Sequence, residues 1–524
     1  MKTDNRSAID MRMREKDLKA LVDYAAETYG EHSAYRYKVG KKDIESKSFN
    51  DLKKDTEAFG NMLEGMGRAG QHIAVQGPTG YEWVVTYLGT VNSNSVIVPM
   101  NNMSTADDIC ELINRAHCTV YVYDHTCESV AEQVRAQCPA VEVFLLMRSD
   151  SDTDKALSLR KQLDANQGPN DTVIDREKMC TILYTSGTTG KPKGVMLCHR
   201  NLIDNTTCVD IRSEGLKVVL SVLPVHHVYC FTCDILLGIF YGLTICVNDS
   251  IMRISKNLAL FKPDTILLVP MIIEAIYNKL EAARTGPKKL LPKKLIASAG
   301  LGGNLTTIYS GGAYLNPDLV DKFADYGIDL YQGYGMTECS PRISNCYPGH
   351  SKKGSIGQIV GGCEVRILDD EIQAKSDSVM LGYYEDPENT AETLIDGGWL
   401  RTGDLGYVDE DNFLFITGRK KNLIITGSGE NISPESIENA IESFDIVKEV
   451  VAYSKQGVIT AEIYPNLEYA EKKRIKDIPK AIREAVDQAN QTFPLYMKVT
   501  GVVIRDEPFP RNTSGKIMRE YNEL

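Results

Sequence analysis

Short β-branched apolar runs alternate with amphipathic stretches along the first half of the chain. Gln71–Gln76 and Ser95–Met100 flank a helical segment near 80–92, Thr119–Tyr123 follows another, and Val141–Leu146 follows a third. The pattern resumes at Val218–Val222, Thr265–Val269 and Leu295–Ser298. Strands separated by whole helices cannot pair as hairpins, so this spacing predicts parallel sheets covered by helices. Residues 10–30 read as one amphipathic helix, with Leu18, Leu21, Val22, Ala25 and Tyr29 at helical spacing.

The texture changes twice further on. From about 355 to 416 the segments shorten and glycines multiply (Gly354, Gly357, Gly361, Gly362, Gly397, Gly398), as a smaller β subdomain requires. After Gly418-Arg419-Lys420-Lys421, the strand Leu423–Ile425 alternates with helices over 434–443 and 476–490, which reads as a compact α+β domain. At 524 residues the chain exceeds what one core supports.

The formal charge of −12 argues against nucleic acid as a main partner, since that needs a basic face. Phe231 to Val247 is apolar but carries Asp234, and is read as buried core rather than a membrane span. The N-terminal residues precede no apolar signal core, and the 13 cysteines read as free thiols of a cytoplasmic protein. Cys230 and Cys233 lack a second ligand pair and read as small buried hydrophobes. The basic run Lys288–Lys294 reads as solvated surface, with an acidic carrier or a CoA phosphate as the minority alternatives.

The chemistry concentrates in a few blocks. Tyr184-Thr185-Ser186-Gly187-Thr188-Thr189-Gly190-Lys191-Pro192-Lys193-Gly194 follows an apolar strand. Glycines let backbone N–H groups close around an anion, hydroxyls donate further bonds, and lysines supply charge, which together suit a polyphosphate. It is not a Walker A loop, because Thr185 stands where a glycine is required and Pro192 biases Lys191 away from helix. In Tyr331–Pro341, Tyr334 lies between glycines 333 and 335 and can offer its face to a base, Glu338 is a hard oxygen ligand suited to Mg2+, and Thr337 donates beside it. Gly311, Gly312 and Ala313 permit a planar ring against the backbone, and the bulkier Tyr314 follows them.

These blocks resemble, in order and over residues 184–517, the motifs of adenylate-forming enzymes: acyl- and aryl-CoA synthetases, luciferases and peptide-synthetase adenylation domains. The resemblance implies an α/β fold. Residues 1–420 would form a large N-terminal domain of two parallel-rich sheets with helices plus a small β-barrel subdomain, and 421–524 a smaller, mobile α+β lid hinged at Lys421. It implies ATP contacts from Thr185 through Lys191, from Lys193, from Gly311–Ala313, and from Tyr334 and Gly335. Asp404, with Arg419, is placed on the ribose, and Glu338 on Mg2+. His227, in Leu223-Pro224-Val225-His226-His227, is placed near the acyl carboxylate. Lys516, in Pro508–Ile517, is the catalytic lysine that neutralises charge as the carboxylate attacks the α-phosphate. The glycine-rich Thr426–Asn431 would swing in for the second step, in which a thiol displaces AMP.

Asp234 stands seven residues too late to meet an amino-acid substrate's ammonium group, which weakens that class of acid. Leu368-Asp369-Asp370-Glu371 is shorter than the family's usual loop, which trims a surface hairpin. No insertion of the kind fatty acyl-AMP ligases carry appears between 341 and 401, which favours CoA as the thiol; the wording of the motifs sits nearest long-chain fatty acyl-CoA synthetases. Two alternatives stay open: loading of a carrier-protein phosphopantetheine, and a non-catalytic adenylate-binding sensor, although the latter is expected to lose Lys516 or Glu338. A P-loop kinase fails on the loop spacing.

Overall fold

A computed structural model describes residues 8–40, 43–185, 191–211, 215–284, 290–425, 431–455, 458–511 and 517–519. The chain divides into two compact units, one of residues 1–364 and 374–400, the other of 365–373 and 401–524.

The first unit holds two large sheets. One runs Gly382–Tyr383, Lys193–Cys198, Met179–Thr185, Val96–Met100, His72–Gln76, Cys118–Tyr123, Val143–Leu146, Leu157–Ser158. From Met179–Thr185 onward its neighbours are parallel, while Lys193–Cys198 and Gly382–Tyr383 join antiparallel at one edge. The central strand His72–Gln76 is shielded by helices and has four of its five residues buried, as parallel strands covered on both faces require. The other sheet runs Gln358–Ile359, Arg342–Asn345, Asp329–Gly335, Thr307–Ser310, Thr265–Leu268, Val218–Ser221, Thr244–Val247, Ser33–Val39, Asp43–Ser48, again parallel through its middle. The predicted parallel-rich sheets are therefore present.

Two sequence expectations need correction. Residues 10–30 form two helices, Ala8–Arg14 and Leu18–Tyr29, because the Asp17 carboxylate caps the second by accepting from the Ala20 N–H at 2.8 Å. Leu295–Ser298 lies inside the helix Lys293–Gly300 rather than in a strand; it buries Ile296 and Ala297 and exposes the rest, a one-sided pattern too short to distinguish by period. Phe231 to Val247 is buried core apart from Tyr241, Gly242 and Thr244, and no helix of the described residues is long and apolar enough to cross a membrane. All 13 cysteines are free thiols, and twelve of them are buried.

In the second unit residues 365–368, 371–373, 401–408 and Leu414–Arg419 share a small sheet. Beyond it the hairpin Val447–Lys455/Val458–Pro465 takes Gly501–Ile504 as a parallel third strand. The helices Pro434–Glu442 and Ile478–Asn490 pack their Ile437, Ile441, Ile482 and Val486 onto it, an α+β arrangement with its own core.

Candidate active site

The hydroxyl-rich loop closes a hairpin. Met179–Thr185 and Lys193–Cys198 are antiparallel neighbours, with Tyr184 opposite Gly194 and Thr185 opposite Lys193. A Walker loop leads from strand into helix; this one turns back into strand, which agrees with the spacing argument. Ser186, Gly187, Thr188, Thr189 and Gly190 lie outside the described residues. The limbs on either side are tied down. The Thr185 hydroxyl donates to the Lys193 carbonyl at 3.4 Å, and the Arg115 guanidinium donates to the Pro192 carbonyl at 2.7 Å while lying over the Tyr184 ring. Lys191 is exposed and Lys193 half-buried.

Glu338 sits in the short turn Thr337–Cys339 that follows the strand Asp329–Gly335. Its carbonyl accepts from the Met380 N–H at 2.9 Å, and its carboxylate accepts the Tyr383 hydroxyl at 2.8 Å. Burial, and then the charge of Glu338, push the Tyr383 phenol well above its ordinary range, so it remains a hydrogen-bond donor. Lys193 reaches the same residue, its ammonium 5.0 Å from the centre of the Tyr383 ring. The structure thus brings together the loop lysine and the metal-binding candidate, through a tyrosine that the sequence reading did not single out.

The glycines around Tyr334 serve a purpose the sequence did not disclose. A Cβ on Gly335 would stand 1.8 Å from the Pro341 carbonyl oxygen, and one on Gly333 2.8 Å from Asn345 Oδ1. They let the strand Arg342–Asn345 fold back against Asp329–Gly335, which fixes Tyr334 opposite Ser344. Gly311 makes room in the same way, since a Cβ there would lie 2.8 Å from Tyr229 Cζ. Gly312 has φ +80°, a left-handed conformation that suits glycine, and Gly312, Ala313 and Tyr314 are exposed.

His227 precedes the helical turn Val228–Cys230 and is exposed, its ring 4.2 Å from that of His226. Burial, and then its neighbour His227, lower the pKa of His226 to about 3, so that ring is neutral at physiological pH. Tyr229, two residues on, crosses to Gly311. An aromatic residue two positions after a histidine carries no distinctive sequence signal.

In the second unit, Asp404 and Arg419 face each other across paired strands, with Arg419 Nε 2.9 Å from Asp404 Oδ1. The Asp404 side chain is buried and its backbone N–H donates to the Thr402 hydroxyl at 3.1 Å. Beside this pair, Glu371 accepts from Arg401 and Lys420 at 3.1 and 3.0 Å. Burial works to raise its pKa, but the bonds from the two cations more than offset this and hold the carboxyl below its usual range. Asp404 and Arg419 are thus brought together as an ion pair. Lys516 and residues 426–430 lie outside the described residues.

Mg2+ is commonly held by one or two carboxylates together with substrate phosphates and water. Glu338 fits that requirement, being a half-buried carboxylate whose one hydrogen bond among the described residues is from a neutral hydroxyl.

Comparison with known proteins agrees with this architecture. Residues 22–384 match the AMP-binding enzyme family, and residues 421–523 the AMP-binding enzyme C-terminal domain. The long-chain-fatty-acid–CoA ligase FadD15 of Mycobacterium bovis is 28% identical over 73% of this chain and 71% of its own. The long-chain-fatty-acid–CoA ligase of Salmonella typhimurium is 28% identical over 97% of this chain and 94% of its own. Among solved structures, the anthranilate CoA ligase AuaEII in complex with anthranoyl-AMP superposes with a TM-score of 0.82 at 19% identity, covering 96% of this chain and 95% of that one, a likeness of fold. The chain belongs to the AMP-binding enzyme family, the adenylate-forming acid–thiol ligases.

Proposed function

We propose that the protein activates a fatty acid with ATP and transfers the acyl group to the thiol of CoA. A carboxylate oxygen of the acid attacks the α-phosphorus of ATP, the bond to pyrophosphate breaks, and an acyl-adenylate forms. The CoA sulfur then attacks the acyl carbon and loses its proton, the acyl–oxygen bond breaks, and AMP leaves. The observation that carries this reading is the meeting of Lys193 and Glu338 on Tyr383, which sets a cation and a hard oxygen ligand beside one phosphate-type loop.

In this reading the 185–193 loop binds the phosphates, Tyr334 and Gly311–Ala313 border the adenine, and Asp404 with Arg419 takes the ribose. Glu338 would hold Mg2+, which when bound supplies positive charge against the phosphates. Thr337 donates beside it, His227 orients the acid, and Lys516 neutralises charge developing in the first step. Residues 1–420 and 421–524 act as two domains, with Lys421 as the hinge between the adenylating and thiol-transferring states. A fatty acid is supported by relatives named for long-chain fatty acids that match over nearly their whole length, and by Asp234 standing seven residues too late in the sequence to meet a substrate ammonium group.

Acid-dependent pyrophosphate release, with and without CoA and across fatty, aryl and amino acids, tests the assignment. Sustained AMP formation that requires a fatty acid and CoA is expected. Turnover that stalls after one equivalent despite CoA would point to a carrier-protein thiol, and release with aryl acids alone would overturn the fatty-acid assignment.

A further inference from the structure

Tyr383 stands where two parts of the proposed nucleotide site meet. It belongs to the strand Gly382–Tyr383, opposite Val195 on the outgoing limb of the phosphate loop. It is fixed from behind, its N–H donating to Thr390 Oγ1 at 2.8 Å. Two different parts of the ring are then engaged. The hydroxyl at its edge donates to Glu338 Oε1 at 2.8 Å, and its face receives the Lys193 ammonium at 5.0 Å. Lys193 is also held by Asn389, whose Oδ1 accepts from it at 2.5 Å and whose Nδ2 donates to both Asp386 oxygens, at 3.0 and 2.8 Å.

The two contacts reinforce one another. A phenol that donates to a carboxylate gains electron density in its ring, which strengthens the attraction of the face for a cation. A hydroxyl on one carboxylate oxygen also fixes the carboxylate's orientation while leaving the second oxygen without a hydrogen bond among the described residues. Groups that orient a metal-binding side chain in this way change metal affinity by roughly 10–100-fold when they are removed.

We propose that Tyr383 is a positioning residue that aligns Glu338 for the metal ion and Lys193 for the phosphates, so that metal and nucleotide binding are coupled through one ring. The proposal rests on the reading of Glu338 as the metal-binding acid. Its test is calorimetric titration of ATP into the full-length protein, with Mg2+ and with EDTA, for wild type, Tyr383→Phe, Tyr383→Leu and Glu338→Gln, each shown by circular dichroism to be folded. The ratio of the two affinities is the metal enhancement.

Tyr383→Phe keeps the ring under Lys193 but loses the hydroxyl. It should lower the enhancement about tenfold while leaving affinity in EDTA within about twofold, a split that a merely structural role would not produce. Tyr383→Leu should lower the EDTA affinity as well. If Glu338→Gln abolishes the enhancement while Tyr383→Phe keeps it, or if the Phe variant loses affinity equally in both buffers, the coupling is refuted and the metal role of Glu338 stands. If the enhancement survives Glu338→Gln, the metal role itself fails and the coupling fails with it.

Discussion

Replacing Asp234 with asparagine should change the pH dependence of stability in the first unit. Asp234 lies in a π-helical turn, Phe231–Leu236, and is 1% exposed. Its Oδ1 has no hydrogen-bond partner among the described residues, and the Cys230 thiol stands 4.0 Å from Oδ2. Burial pushes its pKa up to about 8, against smaller lowering effects from the Ser221 hydroxyl and the Arg342 charge. An unfolded carboxyl titrates near ~3.9. The folded chain therefore holds a proton that the unfolded chain gives up over most of this interval. Stability contributed by the neutral group is fully present below ~4, falls as pH rises, and is lost once pH passes the folded value. At about 1.36 kcal/mol per pH unit, the loss between pH 5 and pH 8 is about 3.5 kcal/mol, allowing for partial ionisation at the upper end.

Asparagine cannot ionise, so the variant escapes this loss. Urea unfolding read by tryptophan fluorescence suits the assay, because both tryptophans, Trp83 and Trp399, belong to the unit that contains Asp234. With a urea slope of roughly 3 kcal/mol/M for a large unit, the midpoint of Asp234→Asn should gain about 1 M on wild type between pH 5 and pH 8. Parallel profiles for the two proteins would refute the reasoning.

Three further outcomes follow from the same geometry. Gly335→Ala drives a Cβ to 1.8 Å from the Pro341 carbonyl oxygen; unfolding should show a loss of about 1–3 kcal/mol, and calorimetry a fall in ATP affinity of more than about tenfold as the Tyr334 turn is displaced. Asp404→Ala removes the partner of Arg419 and the proposed ribose acceptor. Discrimination between ATP and 2′,3′-dideoxy-ATP should collapse in titrations, and discrimination equal to wild type would remove Asp404 from the site. Lys516→Ala should slow adenylate formation by roughly two orders of magnitude or more. CoA-dependent consumption of a supplied acyl-adenylate should be little changed, as stopped-flow of the separate half-reactions would show.

Much of the architecture could be read from the sequence because its signals are local. Val75 and Val98 belong to short β-branched runs bounded by helices, and the strands found, His72–Gln76 and Val96–Met100, fall within the expected ones. The sequence signal failed where two local readings compete. Leu295–Ser298 is short and apolar and suits either element, and packing of Ile296 and Ala297 decided for helix. Asp17 interrupts an otherwise continuous helical pattern only because its side chain caps the following helix.

In the site, Asp404 and Arg419 were legible as a pair because each lies within a recognisable block. Tyr383 was not, because its importance comes from contacts far apart in the chain: its hydroxyl bond to Glu338 spans 45 positions, and the Asn389 contact that steers Lys193 spans 196. For the glycines at 333 and 335 the sequence discloses only part of the physical reason. Their missing side chains admit the returning strand as well as leaving Tyr334 unobstructed.

In the proposed reaction the acid's own oxygen becomes bonded to the α-phosphorus before the thiol arrives. Turnover of an 18O-carboxylate-labelled fatty acid with ATP and CoA, with mass spectrometry of the released nucleotide, tests this most directly. AMP should carry one labelled oxygen and pyrophosphate none. Label in inorganic phosphate accompanied by ADP, or AMP free of label, would contradict it.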